Sequence, residues 1–131
     1  MIYMDTSAVV TLLTGSDYAT ELVRFLASQD DSPLVMSSIG FVETVRVADR
    51  LGAFPMLLSE LVQAYGELVV SDEIRDSAAL LIGGLKTPDA IHVASALSLG
   101  EDLTFLVSYD KRMLEVATEQ GIPVASPGLN A

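Results

Sequence analysis

The first eight residues, MIYMDTSA, join an apolar run to a group of polar side chains, and this junction decides how the chain folds. Residues 1–4 fit a short buried strand, because consecutive apolar side chains suit a sheet that is covered on both faces. Asp5, Thr6 and Ser7 then supply polar side chains that can cap a helix running through Leu13. The chain therefore begins with a strand that leads directly into a helix.

The same order of strand and capped helix recurs along the rest of the chain. We expect further strands at residues 34–36, 68–70, 104–108 and 122–125, with Pro123 placing the last one at a sheet edge. A turn is predicted at residues 30–33, and helices at residues 18–27, 38–50, 55–64, 71–84, 87–100 and 110–119. Thr87 is the predicted cap of its helix, ahead of Pro88. This alternation predicts an α/β fold with a largely parallel sheet.

The composition fits a single cytoplasmic domain. The 131 residues contain no internal repeat, low-complexity tract or interdomain linker, so we expect one domain over residues 1–131. Half of the residues are hydrophobic, yet no apolar run reaches the roughly 18 residues that a membrane span requires. No signal-peptide pattern precedes Asp5, and the absence of cysteine excludes disulfides and thiolate metal sites. We therefore expect a cytoplasmic protein without a membrane partner.

The net charge argues against a general affinity for nucleic acid. Eighteen acidic residues outnumber seven Lys and Arg, which gives a net charge of −11 and a pI near 4.1. Domains that bind nucleic acid usually carry a basic face. Any chemistry on nucleic acid must therefore arise from local features, with weak non-specific binding.

Four acidic side chains lie where open α/β sheets gather their ligands, beyond the carboxyl ends of the strands. Asp5 follows the first strand directly, and Asp110 follows the fourth strand by two residues. Asp89 lies in the first turn of the helix that leads into the fourth strand. Glu43 lies in the helix after the second strand, on an apolar stripe where glutamate is rare without a partner. These positions predict that the four acids converge at one edge of the sheet.

Each of these acids also has a simpler structural interpretation. The three aspartates can each cap or favour a helix N-terminus, which is worth roughly 0.5–2 kcal/mol. Glu43 can pair with Arg46 or Arg50 on its own helix. The four acids are therefore a candidate site only as a set, together with the sequence around them.

The segments around these acids resemble a known family. They are MDTSA at residues 4–8, FVET at 41–44, TPDAIHVA at 87–94 and VSYDKRM at 107–113, followed by GIPVASPG at 121–128. In this order they resemble PIN-domain ribonucleases, and specifically the VapC-type toxins of VapBC toxin–antitoxin pairs. The resemblance covers essentially the whole chain.

The resemblance implies a fold, an activity and partners. It implies a three-layer α/β/α arrangement, an endoribonuclease activity that depends on Mg²⁺ or Mn²⁺, a cognate antitoxin protein and a homodimer. The positions that match the family's catalytic, metal-binding acids are Asp5, Glu43, Asp89 and Asp110. Two positions depart from the family's common pattern: Lys86 stands where arginine is frequent, and no further acid follows Asp110. The second departure puts a fully occupied second metal position in doubt.

A set of carboxylates suits phosphodiester hydrolysis. Mg²⁺ prefers oxygen ligands and keeps several of its waters, so a site without histidine or cysteine ligands is the expected kind. A bound divalent ion lowers the pKa of water and neutralises the charge that develops on the phosphoryl oxygens. Asp5 and Asp89 are the expected direct ligands, and Asp110 and Glu43 are expected to bind directly or through water.

Other polar side chains near the four acids have candidate roles. Thr6, Ser7 and Ser108 can donate hydrogen bonds to the ligands, or can act only as helix and turn caps. His92 is the only histidine, and we favour a structural hydrogen bond to Asp89 over a role as general acid.

Four of the seven basic residues lie within three positions of one of the four acids: Arg46, Lys86, Lys111 and Arg112. These side chains can neutralise the site or contact RNA phosphates. The alternative is ordinary surface ion pairing, which stabilises a protein little.

Two alternatives from other classes were weighed. The first is a PIN-like domain with weak catalysis that acts as a binding module or scaffold, against which the intact set of four acids argues. The second is another Mg²⁺-dependent phosphoryl-transfer protein. A haloacid-dehalogenase-type phosphatase needs a second aspartate two residues after the first, where this chain has Ser7. A receiver domain needs paired acids near the end of the first strand, which are absent.

Overall fold

The computed structural model describes residues 1–29 and 31–129, and within them the strands and helices alternate. The strands are β1 (Ile2–Met4), β2 (Leu34–Ser37), β3 (Gly66–Leu68), β4 (Phe105–Val107) and β5 (Val124–Ala125). The α-helices are α1 (Thr6–Thr14), α2 (Ala19–Ser28), α3 (Ser38–Asp49), α4 (Leu57–Ala64), α5 (Asp72–Leu80), α6 (Thr87–Ser98) and α7 (Lys111–Glu119). A short 3₁₀-helix, Gly100–Asp102, precedes β4. The turn predicted at residues 30–33 includes Asp30, which lies outside the described residues.

The described strands form one parallel sheet in the order β3-β2-β1-β4-β5. β1 is central, and Ile2 pairs with Leu34 of β2 on one side and with Phe105 of β4 on the other. β5 lies at an edge, as Pro123 predicted. Because all pairs are parallel, the carboxyl ends of β1, β2 and β4 lie at one edge of the sheet. The predicted α/β fold with a largely parallel sheet is therefore confirmed.

The sheet is covered by helices on both faces, which gives the predicted three layers. Ile2 and Met4 pack into a core with residues of α1, α2, α3 and α4, whereas Tyr3 packs into a second core with residues of α6 and α7. Successive side chains of a strand point to opposite faces, so β1 anchors both layers. All three residues are fully buried, and burying such a side chain contributes roughly 1.5–3 kcal/mol.

Local capping signals account for most of the helix starts. The side chains of Asp5, Ser37, Ser71 and Asp110 cap α1, α3, α5 and α7 through backbone N–H groups in the first turn. The prediction that Thr87 caps α6 was wrong. Thr87 is the first helical residue, and the preceding Lys86 makes no side-chain capping bond. No described helix is long and apolar enough to cross a membrane.

The strand predicted at residues 68–70 was placed wrongly. β3 begins two residues earlier, where Gly66 pairs with Val35 of β2, and Val69 lies exposed beyond the strand. A Cβ on Gly66 would lie 3.1 Å from the Val35 side chain, so the lack of a side chain permits this close approach. The two valines at residues 69–70 resembled a strand in composition, but strand pairing starts at the glycine.

Two helix boundaries were also predicted wrongly. α4 begins at Leu57, two residues after the predicted start at Pro55. α5 ends at Leu80, because the backbone of Leu81 is already extended, and the φ values of Gly83 and Gly84, 136° and 71°, keep the chain out of a helix beyond it. Residues 81–86 instead lead to α6, and the guanidinium of Arg112 donates a hydrogen bond to the Gly83 carbonyl. This linker, residues 81–86, determines where α6 begins and therefore where Asp89 lies.

We predict that Gly83→Ala destabilises the fold more than Gly15→Ala. Both glycines have positive φ, which costs an alanine about 1–2 kcal/mol, but only at Gly83 would the new Cβ lie 2.6 Å from a Val116 methyl group. The added overlap should bring the loss at Gly83 to about 3 kcal/mol, against about 1 kcal/mol at Gly15. Urea denaturation of both variants measures the difference. Equal losses would contradict a close contact between residues 81–86 and α7.

Candidate active site

The Asp5 carboxylate lies buried at the carboxyl end of β1, where α1 begins. Only 2% of the residue is exposed. Its Oδ1 accepts from the Ala8 N–H at 2.9 Å and its Oδ2 accepts from the Ser108 hydroxyl at 2.6 Å. The Ser7 hydroxyl lies 2.8 and 2.9 Å from the two oxygens. Asp5 is therefore both the cap of α1 and a charged group fixed by three donors.

The two serines that hold Asp5 also hold the turn that carries Asp110. Ser108 accepts from the Asp110 N–H at 3.0 Å, and Ser7 accepts from the Tyr109 N–H at 2.9 Å. Asp110 Oδ1 accepts from the Met113 N–H at 3.1 Å as the cap of α7. Ser7 and Ser108 thus connect the ends of β1 and β4, and they make the predicted hydrogen bonds to an acid.

Glu43 binds His92 and Thr6 and not an arginine. Its Oε1 lies 2.7 Å from His92 Nε2 and accepts from the Thr6 hydroxyl at 2.9 Å. The suggested pairing of Glu43 with Arg46 or Arg50 on its own helix was wrong. Glu43 is half-buried against His92 of α6, whereas Arg46 and Arg50 are exposed.

His92 makes no hydrogen bond to Asp89, so that prediction was wrong. Its ring is buried, with 1% exposure, and His92 Nδ1 lies 2.7 Å from the Tyr3 hydroxyl. The side chain points from α6 into the protein, while Asp89 stays half-buried one turn earlier. Tyr3 was not predicted to belong to the site, although a tyrosine in a buried aliphatic strand needs a polar partner for its hydroxyl.

The four predicted acids are withdrawn from solvent, unlike most other acids of the protein. Asp5 is buried, and Glu43, Asp89 and Asp110 are half-buried. Across residues 1–29 and 31–129, Glu21 is the only other acidic side chain that is not exposed. The large negative charge of the chain therefore lies mainly on exposed acids, apart from this set.

Electrostatics show that the four acids share one region. Burial raises the pKa of Asp89, and the nearby negative charges of Asp110, Glu43 and Asp5 raise it further. Burial also raises the pKa of Asp5, and its hydrogen-bond donors offset only part of this effect. For Glu43 burial acts in the same direction, but His92 and Thr6 outweigh it, so its pKa is lowered. The protein thus holds like charges close enough to oppose one another's ionisation.

The donor chemistry of this region fits a hard divalent cation. Carboxylate oxygens are the ligands that Mg²⁺ prefers. The Asp5 carboxylate has about four lone-pair sites and three donors among the described residues, which leaves capacity for a cation. In the described part of the chain, however, no three acidic or histidine side chains already stand in a metal-holding arrangement.

The basic residues near the acids do not neutralise them. Within the described ranges none of Arg46, Lys86, Lys111 and Arg112 forms an ion pair with the four acids. Arg112 lies 3.4 Å from Glu115 and binds the Gly83 carbonyl, so it serves the linker before α6. The predicted neutralising role was wrong for these residues, and contact with RNA phosphates stays a prediction.

Comparison with known proteins identifies the family. A family model described as the PIN domain matches residues 2–119. The chain belongs to the PIN-domain family. The resemblance noted from the segments around the four acids is thereby confirmed, and within this family the chain is similar to VapC proteins. It is 35% identical over 133 residues to "Ribonuclease VapC47" of Mycobacterium tuberculosis, with 98% of each chain covered.

Further relatives support the same placement. "Ribonuclease VapC46" of Mycobacterium tuberculosis is 34% identical over 128 residues, which cover 96% of this PIN-domain chain and 97% of the relative. Among solved structures, a toxin–antitoxin complex from Klebsiella pneumoniae matches with a TM-score of 0.69 at 20% identity, covering 97% and 98% of the two chains. VapBC-1 from nontypeable Haemophilus influenzae matches with a TM-score of 0.69 at 19% identity, covering 95% and 97%. At these identities the structures show the shared fold.

We predict that Asp89→Asn raises the melting temperature of the metal-free protein. A carboxyl group whose pKa is raised in the folded state binds its proton more tightly there than in the unfolded state. It therefore stabilises the fold less as the pH rises through that pKa. Removing the charge should raise the melting temperature by about 3 °C at neutral pH in EDTA. The difference should shrink as the pH falls, because the Asp89 carboxylate of the wild type then takes up its proton.

The matched control is Asp72→Asn, because Asp72 also lies in the first turn of a helix but has a side chain that is 93% exposed. Thermal melts between about pH 5 and 8 compare the three proteins. This range lies above the ordinary pKa of Glu43, whose pKa is shifted in the opposite direction, so Glu43 stays ionised throughout. An Asp89→Asn variant that melts with or below the wild type at neutral pH would contradict mutual repulsion within the site.

Proposed function

We propose that this protein is a divalent-metal-dependent endoribonuclease that acts as the toxin of a type II toxin–antitoxin system. The observation that carries the proposal is the set of four acids withdrawn from solvent at the carboxyl edge of the sheet. Its relatives of 32–35% identity are named ribonucleases, which supports RNA as the substrate.

The proposed cofactor is Mg²⁺ or Mn²⁺, held by Asp5 and Asp89 directly and by Glu43 and Asp110 directly or through water. When bound, such an ion supplies an activated water and neutralises the charge that develops on the phosphoryl oxygens. Asp5 contributes a carboxylate that is already oriented by Ser7, Ser108 and the Ala8 N–H, so little ordering is required at binding.

We propose that basic side chains near the four acids allow RNA to approach this acidic region. Lys86 directly precedes α6, which carries Asp89, and Lys111 is the first residue of α7, which Asp110 caps. Their ammonium groups can contact RNA phosphates. With a net charge of −11, such contacts give weak non-specific affinity, so selectivity is expected to come from RNA shape or from single-stranded loops.

The proposed partners follow from the same assignment. We infer a cognate antitoxin protein, a homodimer, action in the cytoplasm and a single domain over residues 1–131. Apolar side chains on the surface support a protein partner, because Val42, Leu58 and Val62 are each more than half exposed. Val42 adjoins Glu43 on α3, so a bound partner at this position would reach the edge of the site.

We predict that the purified protein, freed of any partner, cleaves RNA with Mg²⁺ or Mn²⁺ and loses the activity in EDTA. Asp89→Asn should reduce cleavage by at least about 100-fold, because the variant lacks a charged ligand. Asp72→Asn should cleave like the wild type, since Asp72 also lies in the first turn of a helix but is exposed. A broad panel of structured RNAs is the substrate.

Cleavage that survives both EDTA and Asp89→Asn would exclude the metal mechanism. A wild type that binds Mn²⁺ but cuts none of the panel would favour the alternative of a PIN-like binding module with weak catalysis.

We predict that the antitoxin inhibits RNA cleavage by binding the surface of this protein through an apolar segment and by placing a basic side chain next to the four acids. Arginine suits this role best, because its planar guanidinium binds carboxylates through two hydrogen bonds. Replacing that arginine with alanine in the co-purified complex should weaken binding by at least about 30-fold. Cross-linking of the complex that finds no basic residue of the partner near Asp5 or Asp89 would rule out this mode of inhibition.

A further inference from the structure

The Glu43 carboxylate is held through one of its two oxygens. Thr6 Oγ1, at 2.9 Å, and His92 Nε2, at 2.7 Å, both converge on Oε1. No hydrogen bond from a described residue reaches Oε2. The side chain is 29% exposed, so Oε2 remains available to a ligand from solvent while Oε1 is committed to the protein.

The group that holds Oε1 is itself fixed from the opposite side. His92 has 1% exposure, and its Nδ1 lies 2.7 Å from the hydroxyl of Tyr3, which is fully buried on β1. The Tyr3 hydroxyl in turn accepts from the Ser37 N–H at 3.1 Å, at the end of β2. The Tyr3 and His92 rings also meet edge to face, with centroids 5.7 Å apart. The main chain of β2 is thus connected to Glu43 on α3 through two buried rings.

The direction of these hydrogen bonds follows from the donors present. A tyrosine hydroxyl has one proton, and burial raises its pKa well above the ordinary value, so Tyr3 remains a phenol. Its oxygen accepts from the Ser37 N–H, and its one proton points to His92 Nδ1, which lies 2.7 Å away. A neutral imidazole that accepts at Nδ1 carries its proton on Nε2, where it donates to Glu43.

We propose that Tyr3 and His92 are positioning residues that fix Glu43 with Oε2 presented to the divalent metal. The inference rests on the proposed nuclease function. A glutamate has three side-chain torsions and loses considerable rotamer freedom when ordered. The buried rings restrict those torsions before the metal binds. Outer partners of this kind typically govern metal affinity by 10–100-fold.

The first test is nuclear magnetic resonance of the full chain with isotopically labelled histidine. His92 is the only histidine, so its ring nitrogens are assigned without ambiguity. We expect a protonated Nε2 and an unprotonated Nδ1 at neutral pH, with and without Mg²⁺. Tyr3→Phe removes only the donor hydroxyl and should abolish this preference. A proton on Nδ1 in the wild type, alone or together with one on Nε2, would overturn the proposed direction.

The second test is Mn²⁺ binding, measured by calorimetry on matched variants. His92→Leu should lower the affinity by about 10–100-fold, and Tyr3→Phe by about tenfold. His92→Gln places an N–H donor at the same distance along the side chain and should recover most of the affinity that His92→Leu loses. The control is Thr44→Val, which removes a buried hydroxyl one residue from Glu43 and should bind like the wild type. Among the described residues this hydroxyl has no hydrogen-bond partner.

The outcomes separate this inference from the function on which it rests. If His92→Leu and His92→Gln lose affinity equally, or if Tyr3→Phe binds like Thr44→Val, then the buried rings serve only the core and the positioning role is wrong. A wild type that binds no Mn²⁺ and cleaves no RNA would instead overturn the proposed function itself.

Discussion

The burial of the Asp5 carboxylate is the constraint on which the rest of the site depends. A buried carboxylate without partners costs several kcal/mol, so its charge can persist only where donors are fixed around it. Those donors come from two places, the first turn of α1 and the end of β4, and they meet only when β1 and β4 pair in register. The pairing of the two strands and the ordering of the carboxylate are therefore mutually dependent.

The same constraint extends outward to the other acids. The Ser108 hydroxyl donates to Asp5 and accepts from the Asp110 N–H. The same hydroxyl therefore stabilises the Asp5 charge and holds Asp110 at the N-terminus of α7. Asp89 is less constrained. Burial and the negative charges around it raise its pKa. A site of this kind destabilises the metal-free fold, and it does so at the place where the proposed chemistry needs concentrated negative charge.

Two hydrogen-bond systems support the region. Ser7 and Ser108 orient Asp5 beside β4, while Tyr3 and His92 reach Glu43 from the core beneath α6. β1 contributes to both systems, because it carries Tyr3 and leads directly into Asp5. The side chains that cap α1, α3 and α7 lie beside or within the site. Formation of these helices therefore also positions side chains of the site.

The sequence by itself determined the features that depend on near neighbours. The alternation of apolar strands with capped helices determined the parallel α/β fold, and Asp5 and Asp110 were recognisable as caps because each binds an N–H three residues away. Pro123 identified an edge strand for a similarly local reason, the lack of an N–H. The positions of the four acids beyond the strand ends followed from the same pattern.

Only the tertiary structure decided which distant side chains meet. His92 binds Tyr3 and Glu43, which are 89 and 49 residues away, and not the nearby Asp89. β3 begins at Gly66 because its pairing partner is Val35, not because its own residues favour a strand. Such contacts depend on how helices and strands pack across the sheet, and the free energy of that packing is spread over many residues. These contacts therefore cannot be inferred from residue spacing along the chain.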